Sequence, residues 1–327
     1  MKSHLRDAVS LLFLSFFLGS AFAQTPELMT GEAPVLVPDS TGSFDFLQID
    51  AANHRLLAAH TGNNSLDVFN LADGKLIKHV PTGKAQDVAV DAAAGKYYVS
   101  VSAEKKVCII DSKSFEKTGE IALDGEADAA VFNSKNHCFY VGHDDAKELW
   151  VVDMNKKAVT ATITIPEGPE IVVYDPASNR IFQNIKSNDS MVVIDPETNT
   201  VQQTWSTAPA KRPHGMVLNP KTKHLLCAGA NGKLVTIDST SGKVINSVDI
   251  AEGVDQVAFD ATSQRAYCAG GKGEFSIVED AAAGAILLGN VKTAPGAKTI
   301  ACDPDTHAVW VAYAEGKASY IRRFKAM

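Results

Sequence analysis

Seven polar residues stand at near-constant spacing inside otherwise apolar, strand-like stretches: Asp45, Gln86, Asp128, Glu170, His214, Asp255 and Lys298. Four are carboxylates, set against one lysine and one titratable histidine. Brought together, they would form a binding ring with an acidic surplus. Such a ring suits a small cation, an amine or a sugar-like polyol better than a phosphate. A histidine flanked by the carboxylates Glu170 and Asp255 would favour its protonated form. Arg212, two residues before His214, adds a positive exception. Hard oxygen donors at such a mouth would accept Ca²⁺ or Mg²⁺. No resident cofactor is expected.

Residues so far apart can meet only if the chain repeats. Each lies five residues before a small polar residue that ends an apolar run: Asp50, Asp91, Asn133, Asp175, Asn219, Asp260 and Asp303. The intervals between these markers are 41, 42, 42, 44, 41 and 43 residues. A second set of markers follows about twenty residues later, at Asn70, Asp111, Asp153, Asp195 and Asp238. Asp and Asn side chains bond their own backbone two residues on, so these are turn residues rather than catalytic carboxylates.

Each unit holds four short runs rich in β-branched and aromatic residues. In unit two they are Asp87–Val90, Tyr97–Val101, Val107–Ile110 and Thr118–Ala122. The pattern predicts an all-β fold: one seven-bladed β-propeller with four-stranded antiparallel blades. The last unit lacks a fourth strand, and the stretch Pro34–Pro38 supplies one from the other end of the chain. The N-terminal strand is therefore expected to close the last blade and leave no open edge there.

The ends of the chain set the domain limits. Lys2 and Arg6, the apolar run Leu11–Leu18 and the motif Ala21-Phe22-Ala23 read as a signal peptide cut after Ala23. The expected organisation is signal peptide 1–23, a short linker 24–33 and the propeller 34–327. The protein is expected to be periplasmic or secreted and monomeric, with no membrane span. Removing Lys2, Arg6 and Asp7 takes the formal charge from −7 to −8, which argues against a nucleic-acid partner.

His60 and His143 fall ten residues after their markers and flank the ring on the same face as loop histidines. A metal shared with His214 is not expected. Packed sheets lie about 10 Å apart, whereas zinc needs its nitrogens about 2.1 Å away. His54, His137 and His307 belong to turns on the opposite face, in solvent. The five cysteines, Cys108, Cys138, Cys227, Cys268 and Cys302, read as buried thiols filling gaps between sheets, with a Cys268–Cys302 pairing left open. No CxxC, Walker loop, Gly-x-Ser-x-Gly or His-Glu-x-x-His motif occurs.

Arg212-Pro-His-Gly215, continuing to Pro220, Ser65-Leu-Asp-Val-Phe69, Ser190-Met-Val-Val-Ile-Asp195 and Leu234-Val-Thr-Ile-Asp238 together resemble the YVTN-type repeat of the bacterial YncE-like propellers. The resemblance covers residues 34–327. Units six (Ile277-Val-Glu279) and seven (Tyr320-Ile-Arg322) depart from it. It implies an exported seven-bladed propeller and transfers no catalytic motif. The expected function is a binding scaffold that holds an unidentified protein or small polar or cationic ligand at the channel mouth. The alternative is a lactonase-like hydrolase or lyase using Glu170 or Asp255 with His214 and Arg212. A third reading is an accessory subunit of a periplasmic redox system, without covalent haem because CxxCH is absent.

Overall fold

The chain folds into seven antiparallel sheets, one per sequence unit, and the innermost strands neighbour one another in order around a central channel. The computed structural model describes residues 28–144 and 146–326. The signal peptide expected over 1–23 lies outside the described residues. Among the described residues no helix is long and apolar enough to cross a membrane.

The turn markers act as their chemistry predicts. In all seven units the first marker's side-chain oxygen accepts a backbone N–H two or three residues on, as Asp175 does from Ala177 at 2.9 Å. The five second markers do the same after the third strands. Several first markers have a second partner. Tyr97 Oη of blade two donates to Asp50 Oδ2 of blade one at 2.6 Å. His137 and His307 approach Asp91 and Asp260 of the preceding blades, at 3.6 and 3.1 Å. These two histidines are therefore partly sheltered between blades, whereas His54 is solvated as expected.

Both faces of each second and third strand pack against neighbouring blades. This explains runs such as Tyr97, Tyr98 and Val99, all buried. The outermost strands of blades one to six face solvent on one side. Each carries a register shift against the third strand, which adds twist at the rim.

The last blade closes with the N-terminal strand, as expected, but in two pieces. Val35–Leu36 pairs with Ile321 and Tyr320, and Met29–Gly31 pairs with Ala326, Lys325 and Phe324. Pairing thus begins inside the segment expected to be a linker, so the strand starts before Pro34. Met29 and Val37 are buried, and Glu32 pairs with Arg323 at 2.7 Å. On the channel side Gln256 completes the closure. Its Oε1 accepts from Leu47 N and Ile300 N, both at 3.1 Å, joining blades six, seven and one.

All five cysteines are free; four are buried and Cys302 is half-buried.

Candidate ligand site at the channel mouth

The mouth residues owe their position to a break in strand pairing. In blades two to six the innermost strand slips register against the second strand just where these residues stand, for example between Ala127 and Ala130. Gln86, Asp128, Glu170, His214 and Asp255 lie within or beside that slip. Lys298 directly precedes the innermost strand of blade seven, and Asp45 stands two residues before that of blade one.

The structure brings most of the ring together. Lys298 Nζ lies 2.7 Å from Asp255 and 4.0 Å from Asp45. His214 Nε2 lies 3.8 Å from Glu170 Oε1. Its Nδ1 is 2.6 Å from the Arg212 carbonyl, which can only accept, so Nδ1 carries the proton and Nε2 faces the ring. His214 is therefore beside one carboxylate rather than between two, because Asp255 is taken up by Lys298. Arg212 contributes its carbonyl, while its side chain is exposed. Gln86 Nε2 donates to Ser102 at 2.9 Å, and its buried Oε1 has no partner among the described residues.

Two expected flanking residues fare differently. His143 stays on this face, half-buried, stacked on Trp150 and 3.0 Å from Glu148. His60 is wholly buried, not a loop residue at the mouth. Its Nδ1 is 2.6 Å from Asp67 Oδ2 and its Nε2 is 3.1 Å from Ser319 Oγ. That is the hydrogen-bond order of a Ser–His–Asp triad. However, Ser319 is also buried and donates to the Gly42 carbonyl at 2.8 Å, so the array ties blade one to blade seven.

Three site residues were not anticipated. Lys186 pairs with Glu170 and lies 3.6 Å from Asp144. Asp144 and Lys186 both stand eleven residues after their markers, so the next repeated position would have revealed them. Asp87 sits one residue deeper than Gln86 and accepts from Val88 N at 2.7 Å and Ala130 N at 2.9 Å. It borders a channel of about 280 Å³ lined by Val88, Val131, Ile171, Met216 and Val257 among others, with polar backbone and the Gln48 and Gln256 side chains between them.

The electrostatics follow from this crowding. Burial, reinforced by Asp255, raises the Asp45 pKa to about 7, against the pull of Lys298. Burial also raises Asp87 to about 7. Asp128 is raised well above the usual carboxylate range by burial and then by Glu170 and Asp45. Burial opposes the charge on Lys298, but Asp255 and Asp45 outweigh it and its pKa is raised. Lys186 follows the same logic through Glu170. Six carboxylates (Asp45, Asp87, Asp128, Asp144, Glu170, Asp255) thus face two lysines and one histidine. Burial above all, and the neighbouring carboxylates of Asp45 and Asp128 in addition, lets some of these acids keep their protons near neutral pH.

Seven four-stranded antiparallel blades around a channel define a seven-bladed β-propeller. The chain belongs to the family described as "Domain of unknown function (DUF5074)", whose model matches residues 92–286. It is a YncE-like propeller: the "Uncharacterized protein YncE" of Salmonella typhi is 22% identical over 229 residues, covering 65% of this chain and 64% of that protein. The Escherichia coli O157:H7 protein of the same name is 22% identical over 193 residues, covering 54% and 55%. The matches thus span about half to two thirds of these relatives' length. Among solved structures, Kuenenia stuttgartiensis hydrazine synthase superposes with a TM-score of 0.75 at 14% identity, covering 88% of this chain and 97% of that one. A chain of the mitotic checkpoint complex does so with 0.77 at 14%, covering 96% and 99%. At that identity the likeness is one of fold. None of these relatives brings a reaction to this chain, and the lactonase-like alternative is not favoured.

Proposed function

We propose that this protein is an exported binding scaffold whose channel mouth captures a small cationic ligand, either a divalent cation or an organic amine. The observation that carries the reading is geometric: Asp45, Glu170 and Asp255 gather at one mouth in which Lys186 and Lys298 are the paired cations. Burial and neighbouring carboxylates push Asp45 and Asp128 up in that setting. A bound cation would supply the missing positive charge and displace those protons. Among the described residues no three ring carboxylates bring their oxygens within 4.8 Å of one another, so the mouth suits a hydrated cation or an organic amine better than a directly ligated metal ion.

Isothermal titration calorimetry of the purified protein with Ca²⁺, Mg²⁺ and putrescine tests this. Binding should strengthen between pH 6 and pH 8 and release protons to the buffer. Asp45→Asn combined with Asp128→Asn should abolish it. Loss of neither heat nor affinity in that double variant would end the reading.

A further inference from the structure

We infer that a cleft between blades four and five, on the face opposite the mouth, is a binding site for a small organic carboxylate. The cleft has a volume of about 250 Å³ and is lined by Asp175, Arg180, Leu218, Pro220, Lys223 and Ser239, among others.

The argument starts from a repeated position. Arg55, Lys96 and Arg180 each stand five residues after a first marker, at the start of a second strand. Arg55 crosses into blade two, donating to Tyr97 Oη at 3.0 Å and to the Ser112 carbonyl. Lys96 reaches Asp111 Oδ2 at 2.9 Å. The Arg180 side chain makes neither hydrogen bond nor ion pair among the described residues, although the residue is half-buried. The sequence explains why. The blade-five counterpart of Tyr97 is Leu225, which is buried and carries no hydroxyl. The counterpart of Ser112 is Ser239, which lines the cleft with Arg180 but makes no hydrogen bond to its side chain. The second marker of blade four, Asp195, accepts from Glu197 N at 2.8 Å and does not meet the guanidinium.

A guanidinium offers five donors in a planar fork that matches the two oxygens of a carboxylate. Left partly desolvated without acceptors, it favours an external one. Lys223 adds a second positive charge at the rim, while Leu218 and Pro220 offer an apolar wall to the ligand's carbon skeleton. Asp175 forms part of the lining, but its oxygens are already engaged by Ala177 N at 2.9 Å and Ser178 Oγ at 2.6 Å. Its negative charge selects against a dianion. The chemistry therefore fits a single carboxylate on an apolar body better than a phosphate.

Amide chemical-shift titrations of the full protein with benzoate and with inorganic phosphate test the site. Benzoate should produce saturable shifts at Leu218, Lys223 and Ser239. Arg180→Gln should weaken binding about tenfold, the scale of one charge-assisted hydrogen bond. Asp45→Asn should leave binding unchanged, which keeps this test separate from the mouth. Unsaturable shifts, equal affinity in Arg180→Gln, or tighter binding of phosphate than of benzoate would each overturn the inference. Should Arg180→Gln fail to fold, the absence of wild-type shifts at those three amides would still do so.

Discussion

Lys298 stands between Asp255 and Asp45 but leans to the first, at 2.7 Å against 4.0 Å, so Asp45 is left with less of the shared positive charge. Burial, with this asymmetry adding to it, makes Asp45, like Asp87 and Asp128, a group whose ionisation works against the fold.

The stability consequence has a definite sign. The folded-state pKa of Asp45, about 7, lies above its ordinary value of 3.8. A carboxyl raised in this way favours folding fully below the ordinary value and loses that contribution as pH rises towards 7. Asp45→Asn removes the penalty. At pH 8 the variant should be more stable than wild type by about 1–2 kcal/mol, and at pH 4 the difference should vanish. Urea denaturation at both pH values measures it; a variant destabilised at pH 8 would contradict the assignment.

Ring closure depends on the buried part of the N-terminal strand rather than its exposed part. Met29 is buried and Leu36 is 55% exposed. Met29→Ala should cost about 2–4 kcal/mol, whereas Leu36→Ala should stay within about 0.5 kcal/mol. Chemical denaturation of the two variants side by side distinguishes them. Equal costs would mean that closure does not rest on this packing.

One staple between blades one and two is the Tyr97 phenol, which accepts from Arg55 and donates to Asp50. Tyr97→Phe removes the 2.6 Å bond to Asp50 and leaves a buried carboxylate short of a donor. The expected loss is about 1–3 kcal/mol. Asp50→Asn should cost less when added to Tyr97→Phe than when made alone, and a double-mutant cycle reads that coupling.

The cysteines should be chemically silent in the native protein. Burial pushes the thiols of Cys227, Cys268 and Cys302 up to about 12 and that of Cys108 to about 11. The thiolate is the reactive form. Ellman's reagent at pH 8 should therefore react slowly with folded protein and with all five thiols after denaturation. Rapid labelling of native protein would contradict the burial.

The Ser319–His60–Asp67 array should be catalytically inert. A fluorophosphonate probe should not label Ser319, because the serine is buried and its hydroxyl is committed to the Gly42 carbonyl. Labelling that is lost in His60→Ala would instead reveal an enzyme.

What the sequence determined by itself was everything that depends on local chemistry repeated at a fixed period. Asp50, Asp91, Asn133 and their equivalents cap turns through their own backbone, so the period, the blade number and the strand order are written in the chain. The innermost-strand start was legible in the same way, and it located Asp45, Glu170, His214, Asp255 and Lys298. Tertiary structure decided whatever depends on a partner from another blade. His60 shares its offset with His143, yet one is buried against Asp67 and Ser319 while the other stays half-buried at the mouth. Their fates diverge because the last blade arrives from the far end of the chain. Asp87 belongs to the mouth only because the register slip places it there and Ala130 of the neighbouring blade donates to it. Arg55 and Arg180 hold the same place in the repeat, and the residue across the blade boundary, Tyr97 or Leu225, decides whether the charge is satisfied within the protein. Periodicity fixes where a side chain begins, whereas charge and hydrogen bonding act through space and are settled by what lies opposite.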